Sequence, residues 1–128
     1  MPMADRSLYA LNILMHMSPH EITNEEIQRL YQVKTYLLNH LHQRHTVKQL
    51  ARRAAMNESK FREAFYMVFS YVVQDYIIEA RMQLGFFLLK HTNKAIKEIA
   101  WLAGYRQSKN FMNAFKKYFG ITAMTVRK

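Results

Sequence analysis

Apolar residues recur at helical spacing along most of this chain, and one such arrangement occurs twice. Leu50-Ala51 leads through Ala55-Met56 to Phe61, Ala64, Phe65 and Val68. About fifty positions later, Ile99-Ala100 leads through Gly104-Tyr105 to Phe111, Ala114, Phe115 and Tyr118. Both second series follow i, i+3, i+4, i+7, so each predicts a helix with one apolar face. Aligning Ala51 with Ala100, Phe61 with Phe111, Phe65 with Phe115, Phe69 with Phe119 and Ser70 with Gly120 leaves the second copy one residue longer in its turn. The repeated unit is a short helix, a turn and a second helix whose outer face is polar. One such stretch alone fits an ordinary helical hairpin or a helix-turn-helix. The repetition favours two similar subdomains.

The intervening pattern fills in the architecture. Thr23-x-x-Glu26 is a capping box and predicts a helix to about Gln43, with Ile27, Leu30, Tyr31, Leu37, Leu38 and Leu41 on its inner face. Thr46 caps a helix from Val47 to about Ala54, and Asn57 caps one running to about Phe69. Val72 to Lys90 reads as one long helix with a stripe of Val73, Tyr76, Ile77, Ala80, Leu84 and Leu88. At ~1.5 Å per residue, ~17 residues span ~25 Å. Ile96, Ile99, Ala100 and Ala103 form the inner face of the next helix, with Trp101 partly buried or at an edge. Another helix starts after Gln107, and Ile121 to Arg127 closes the chain with Val126 inward. Residues 1–22 carry only a weak stripe of Leu8, Leu11 and Met15, interrupted by Pro19, and read as a linker or as the remnant of a preceding domain. The expected fold class is all-α: two helix-turn-helix subdomains of the homeodomain-like three-helix type, joined by a long linker helix. The expected first unit is about 46–70, the linker helix about 72–90 and the second unit about 95–120, within a domain of 23–128.

Charge narrows the partners. The net charge of +10 is unevenly placed: residues 1–30 sum to −2, and the rest, with 17 basic and 5 acidic side chains, to +12. Such a field suits a polyanion, nucleic acid first and an anionic membrane surface second. The chain has no cysteine, which excludes disulfides, thiolate metal sites and a cysteine nucleophile, and fits a cytoplasmic setting. No stretch reaches the ~18 apolar residues of a membrane span, and the start lacks the basic and apolar regions of a signal peptide. His16 and His20 have Pro19 between them, and His-Glu-x-x-His is absent; His40, His42, His45 and His91 read as solvated or basic-face residues. With no phosphate loop, metal cluster or catalytic constellation, neither an enzyme nor a cofactor is expected.

The two outer helix faces carry the candidate chemistry. The first presents Ser59, Arg62, Glu63 and Tyr66, the second Ser108, Lys109, Met112 and Asn113. Arginine bonds guanine O6 and N7, glutamate accepts from cytosine N4, asparagine matches adenine N6 and N7, and methionine packs on a thymine methyl. Ser59 lies near a helix N-terminus, which favours phosphate. Lys60, Arg106, Lys116 and Lys117 are candidates for phosphate contacts, which give affinity without sequence information. Arg81 reads as a structural residue bonding neighbouring carbonyls.

From about Tyr31 to Lys128 the sequence resembles the DNA-binding region of the AraC/XylS transcription regulators. The matching pieces are Gln49-Leu50-Ala51, Asn57 through Phe65, Tyr76, Arg81-Met82, Leu88-Leu89, Ile96-Lys97-Glu98-Ile99-Ala100 and Gly104-Tyr105, followed by Phe111, Phe115-Lys116-Lys117, Phe119-Gly120, Thr122 and Arg127. Four positions depart from the family pattern: Ser70 for a Gly, Gly85 for a small residue that is usually Ala, Gln107 for an Asp or Ser cap, and Ala123 for a Pro. They predict looser turns and caps at ~1 kcal/mol each. The resemblance implies a regulator that binds double-stranded DNA in the major groove, its linker helix holding two reading helices over adjacent groove segments. It also implies contact with RNA polymerase; the chain is expected to be either a stand-alone regulator or, the favoured reading, the C-terminal part of a longer protein whose effector binds a further N-terminal domain. Two other classes fit the composition: an architectural, weakly specific DNA binder, and a protein-interaction module whose basic face is incidental.

Overall fold

A computed structural model describes Leu8, Leu11 and residues 22–128. The expectation of a linker or remnant over residues 1–22 lies almost wholly outside these, as do His16 and His20. The described residues form seven helices and no strand: α1 (Asn24–Asn39), α2 (Val47–Arg53), α3 (Glu58–Phe69), α4 (Val73–His91), α5 (Ile96–Leu102), α6 (Ser108–Phe119) and α7 (Ala123–Arg127). The fold is all-α, with α2–α3 and α5–α6 as two helix-turn-helix motifs. The chain divides into two compact units. The first holds the described residues up to Asn39 with His45–Tyr76; the second holds His40–Arg44 with Ile77–Lys128. The division falls inside α4.

In the first unit the local chemistry starts the helices as the sequence suggests. Glu26 Oε1 accepts from the Thr23 amide at 2.8 Å, and Thr23 Oγ1 accepts from the Glu26 amide at 3.1 Å. Thr46 and Gln49 form a second reciprocal box at 3.2 and 3.3 Å. Asn57 Oδ1 accepts from the Lys60 amide at 2.8 Å and caps α3. Each bond satisfies an amide that the helix itself leaves without a partner. The core gathers Leu30, Val33 and Leu37 of α1, Leu50 and Ala51 of α2, and Phe61, Ala64 and Phe65 of α3. Arg29 Nε donates to the Ala54 carbonyl at 2.8 Å and so ties α1 to the turn after α2.

The inner face of α1 differs from the expected one. Tyr31 is 52% and Leu38 46% exposed, whereas Val33 is buried. The buried stripe is Leu30, Val33, Leu37, at i, i+3, i+7; Tyr31 and Leu38 each stand one position, ~100°, around the helix from it. The helix ends at Asn39, and Leu41 is buried beyond it, in the second unit.

The second unit packs Met82 and Leu89 of α4, Ile99 and Ala100 of α5, and Phe111 and Phe115 of α6 into one cluster, closed by Ala123 and Val126. Gly85 belongs here because a Cβ would lie 2.7 Å from the Phe111 ring. The expected α4 stripe holds at Val73, Ile77 and Leu88, while Met82 and Leu89 are more deeply buried than Ala80 or Leu84. One straight stripe fails because α4 contributes to two cores in succession.

Two arginines brace this unit. Arg81 Nη2 donates to the Gln43 carbonyl at 2.8 Å, and Arg127 donates to the carbonyls of Lys94 at 2.6 Å, Thr92 at 3.1 Å and Leu89 at 3.4 Å. Burial draws the Arg81 guanidinium down from its ordinary pKa and pushes the Tyr105 phenol up.

Candidate nucleic-acid interface

The inner positions Phe61, Ala64 and Phe65 fix how α3 is rotated, and Phe111 and Phe115 do the same for α6. What remains outside follows from helical geometry. On α3, Ser59 is exposed and Arg62, Glu63 and Tyr66 are half-buried. On α6, Lys109 and Asn113 are exposed, and Ser108 and Met112 half-buried. No side chain of these eight has a hydrogen-bond or ion-pair partner among the described residues. The α3 set lies together on one helix face, and so does the α6 set. Each face offers donors, acceptors and apolar surface with nothing inside the unit to satisfy them.

The basic residues sort into two classes. Arg29, Arg81 and Arg127 bond backbone carbonyls. Arg53 lies 3.5 Å from the centre of the Tyr36 ring, and Lys34 lies over Tyr31 and Phe69. Lys60 belongs with these rather than with the free cations: its Nζ is 2.7 Å from Glu26 Oε2. The Lys60 ammonium, then the Thr23 amide, hold the Glu26 carboxyl down to about 2 from its ordinary 4.5. Arg106, Lys116 and Lys117 are exposed, with no partner among the described residues.

An open groove in the first unit runs between the outer side of α2 and the start of α3, lined by Lys48, Arg52, Asn57 and Ser59 among others. In the second unit a groove along the outer side of α5 is lined by Ala95, Lys97, Glu98, Trp101 and Arg106. Under the alignment of Ala51 with Ala100, Lys48 corresponds to Lys97 and Arg52 to Trp101. Sequence reasoning singled out Ser59 and Arg106 here. Lys48, Arg52 and Lys97 were legible as outward positions on the first helix of each repeat, the helix that crosses the phosphate backbone in helix-turn-helix proteins. Trp101 is 55% exposed and packs at a tilt on His42, ring centres 5.1 Å apart.

Comparison with known proteins agrees with this geometry. Residues 50–128, more than half of the chain, match a family described as a helix-turn-helix domain. The melibiose operon regulatory protein of Escherichia coli K12 is 31% identical over 83 residues, which are 65% of this chain and 28% of that protein. The chain thus spans less than a third of that relative's length. The DNA-binding domain of AdpA, solved in complex with a target DNA, superposes with a TM-score of 0.71 at 26% identity, covering 77% of this chain and 88% of that one. The C-terminal domain of AraT, a response regulator from Geobacillus stearothermophilus, shares the fold with a TM-score of 0.72 at 22% identity, over 88% of this chain and 86% of that one. The chain belongs to the AraC-type helix-turn-helix family of DNA-binding transcription regulators.

Proposed function

We propose that this chain is the DNA-reading part of a longer cytoplasmic regulator, whose effector binds a domain outside these residues and which acts on promoters through RNA polymerase. Each unit reads one block of duplex sequence: α3 through Ser59, Arg62, Glu63 and Tyr66, and α6 through Ser108, Lys109, Met112 and Asn113. Phosphates are held by Arg106, Lys116 and Lys117, with Lys48, Arg52 and Lys97 from the grooves. The observation that carries this reading is the unpartnered chemistry repeated on the outer faces of two helices. Polar side chains able to meet base edges are left without partners at matching places in both copies, Ser59 with Lys109 and Glu63 with Asn113.

Affinity then comes largely from released counterions and weakens as salt rises, with a logarithmic slope of about −0.9 per phosphate neutralised. Equilibrium binding to fluorescent duplexes across salt tests this. A selective site with steep salt dependence supports a regulator. Salt-dependent binding with no preference among sequences means an architectural binder, and no retention of duplex at moderate salt means a protein-interaction module. Within a selected site, Arg62→Ala should relax preference at one base pair by ~1–3 kcal/mol. An equal loss on every sequence would make Arg62 a phosphate contact instead.

A further inference from the structure

Glu63 is out of place on a surface meant for DNA. Five acidic side chains follow residue 30, and four have a local reason to be where they are. Glu79 accepts from the Tyr118 hydroxyl at 3.3 Å, Glu98 pairs with Lys94 at 3.5 Å, and Asp75 is buried in the fold. Glu58 sits in the first turn of α3, where the helix dipole favours a carboxylate. Glu63 has none of these. It stands mid-helix between Arg62 and Ala64, half-buried, with no hydrogen-bond or ion-pair partner among the described residues.

The cation that would ordinarily neutralise it has been drawn elsewhere. Along a helix a side chain meets those three and four positions away. For Glu63 these are Ser59, Lys60, Tyr66 and Met67, and only Lys60 is basic. Lys60 instead reaches Glu26 of α1, which also closes the capping box with Thr23. Glu26 and Lys60 therefore complete each other and leave the Glu63 carboxylate as a free acceptor beside Arg62. Near phosphates an unpaired carboxylate is repelled unless a donor meets it. The major groove offers two amino donors, cytosine N4 and adenine N6; adenine sets its N7 acceptor beside N6, which repels a carboxylate, so cytosine N4 is the better match.

We propose that Glu63 is a specificity determinant that accepts from a cytosine N4 amino group, kept available because Glu26 holds Lys60 away from it. The proposal rests on the reading of α3 as a major-groove helix. The block read by the first unit then contains a C·G pair next to the guanine bonded by Arg62. The block read by the second unit lacks a carboxylate contact, because α6 contains no acidic residue at all.

The test is selection of random duplex DNA on the full chain, repeated with Glu63→Gln, Glu63→Ala and Glu26→Gln. Wild type should enrich a cytosine in one block. Glu63→Gln should change that position to adenine, since a glutamine amide matches N6 and N7. Glu63→Ala should leave it indifferent, with roughly tenfold discrimination lost there and little elsewhere. Glu26→Gln frees Lys60 to neutralise Glu63, so preference at that same position should fall while the other positions keep theirs. Motifs unchanged by Glu63→Gln overturn the proposal, and so does an equal loss at every position in Glu26→Gln. If wild type holds no duplex, the DNA-reading function falls with it; if wild type selects a motif that Glu63 does not influence, only this proposal falls.

Discussion

The two units build the same motif from opposite local devices. In the first, the turn after α2 passes through Ala55 at φ 56°, and α3 ends on Ser70 at φ 59°. In the second, the matching positions are Gly104 at φ 93° and Gly120 at φ 77°. A residue with a Cβ in this left-handed region costs ~1–2 kcal/mol that glycine does not. The helix starts run the other way. Thr46 and Asn57 cap α2 and α3 with side-chain bonds, whereas Ala95 and Gln107 make none at α5 and α6. A missing cap costs ~0.5–2 kcal/mol. The first motif thus combines strained turns with good caps, and the second relaxed turns with bare starts at α5 and α6. A repeat can conserve its geometry while the sites of its local strain move. Aromatic packing is what both copies share: the Phe65 and Phe69 rings meet at a tilt, 4.7 Å between centres, and Phe115 and Phe119 do so at 4.6 Å.

If the shared core carries the fold, truncating it should be the most damaging change in either unit. Phe115 and Phe61 are both fully buried. Phe115→Ala should cost ~3–5 kcal/mol and unfold the second unit, and Phe61→Ala should do the same to the first. Denaturant unfolding gives the size of the loss, and hydrogen exchange shows which helices lose protection. Unchanged stability in Phe115→Ala would mean that the inner and outer faces of α6 are reversed.

Exchanging the turn residues tests the contrast itself. A Cβ on Gly104 would lie 2.5 Å from the Leu41 carbonyl oxygen and 2.6 Å from Arg81 Nε, on a backbone at positive φ. Gly104→Ala should therefore destabilise by ~2–3 kcal/mol. Ala55→Gly removes the left-handed penalty and returns ~0.5–1 kcal/mol in chain entropy, leaving a net gain of ~0.5–1 kcal/mol. The two substitutions should shift the denaturant midpoint in opposite directions. Equal and opposite shifts would show that only φ distinguishes the turns; a larger loss at Gly104 reports the packing of Leu41 and Arg81 against it.

These contrasts also mark what the sequence could disclose. The apolar spacing of α3 and α6 identified their inner faces because Phe61, Phe65, Phe111 and Phe115 leave no choice of side. The box at Thr23 and the cap at Thr46 were legible because their partners lie within four residues, and the same spacing offered the Gln49 half of the second box. Other features depend on residues far apart in sequence. Lys60 looks like a free cation until Glu26 is placed beside it, 34 positions away. Arg127 looks like a basic tail until it is seen to bond three carbonyls between Leu89 and Lys94. On α1 and α4, apolar residues outnumber the buried positions, so periodicity alone could not select Val33 over Tyr31, or Met82 over Ala80. Outward residues of α3 and α6 followed from the inner ones; Lys48, Arg52 and Lys97 were open to the same argument on α2 and α5, and the groove beside each helix is what marks them as lining a site.

The smallest effect is confined to the first unit and is read by acid. The Glu26 carboxyl is held down to about 2, first by Lys60 and then by the Thr23 amide, against an ordinary value of 4.5. A carboxyl lowered by folding stabilises the native state wherever it is ionised in the fold. That contribution is complete above about pH 4.5 and is lost as pH falls through about 2. Because the pair is partly exposed, it should amount to about 1 kcal/mol or less. Glu26→Gln should lower stability at neutral pH by that amount and flatten the decline between these pH values. Exchange protection in α1 and α3 should follow the same curve, since Glu26 and Lys60 belong to those helices. A Glu26→Gln protein with the wild-type slope would mean that the link between α1 and α3 rests on its other contacts, among them Tyr31 and Lys34 against the Phe69 ring. The contrast between the units would then reduce to their turns and caps.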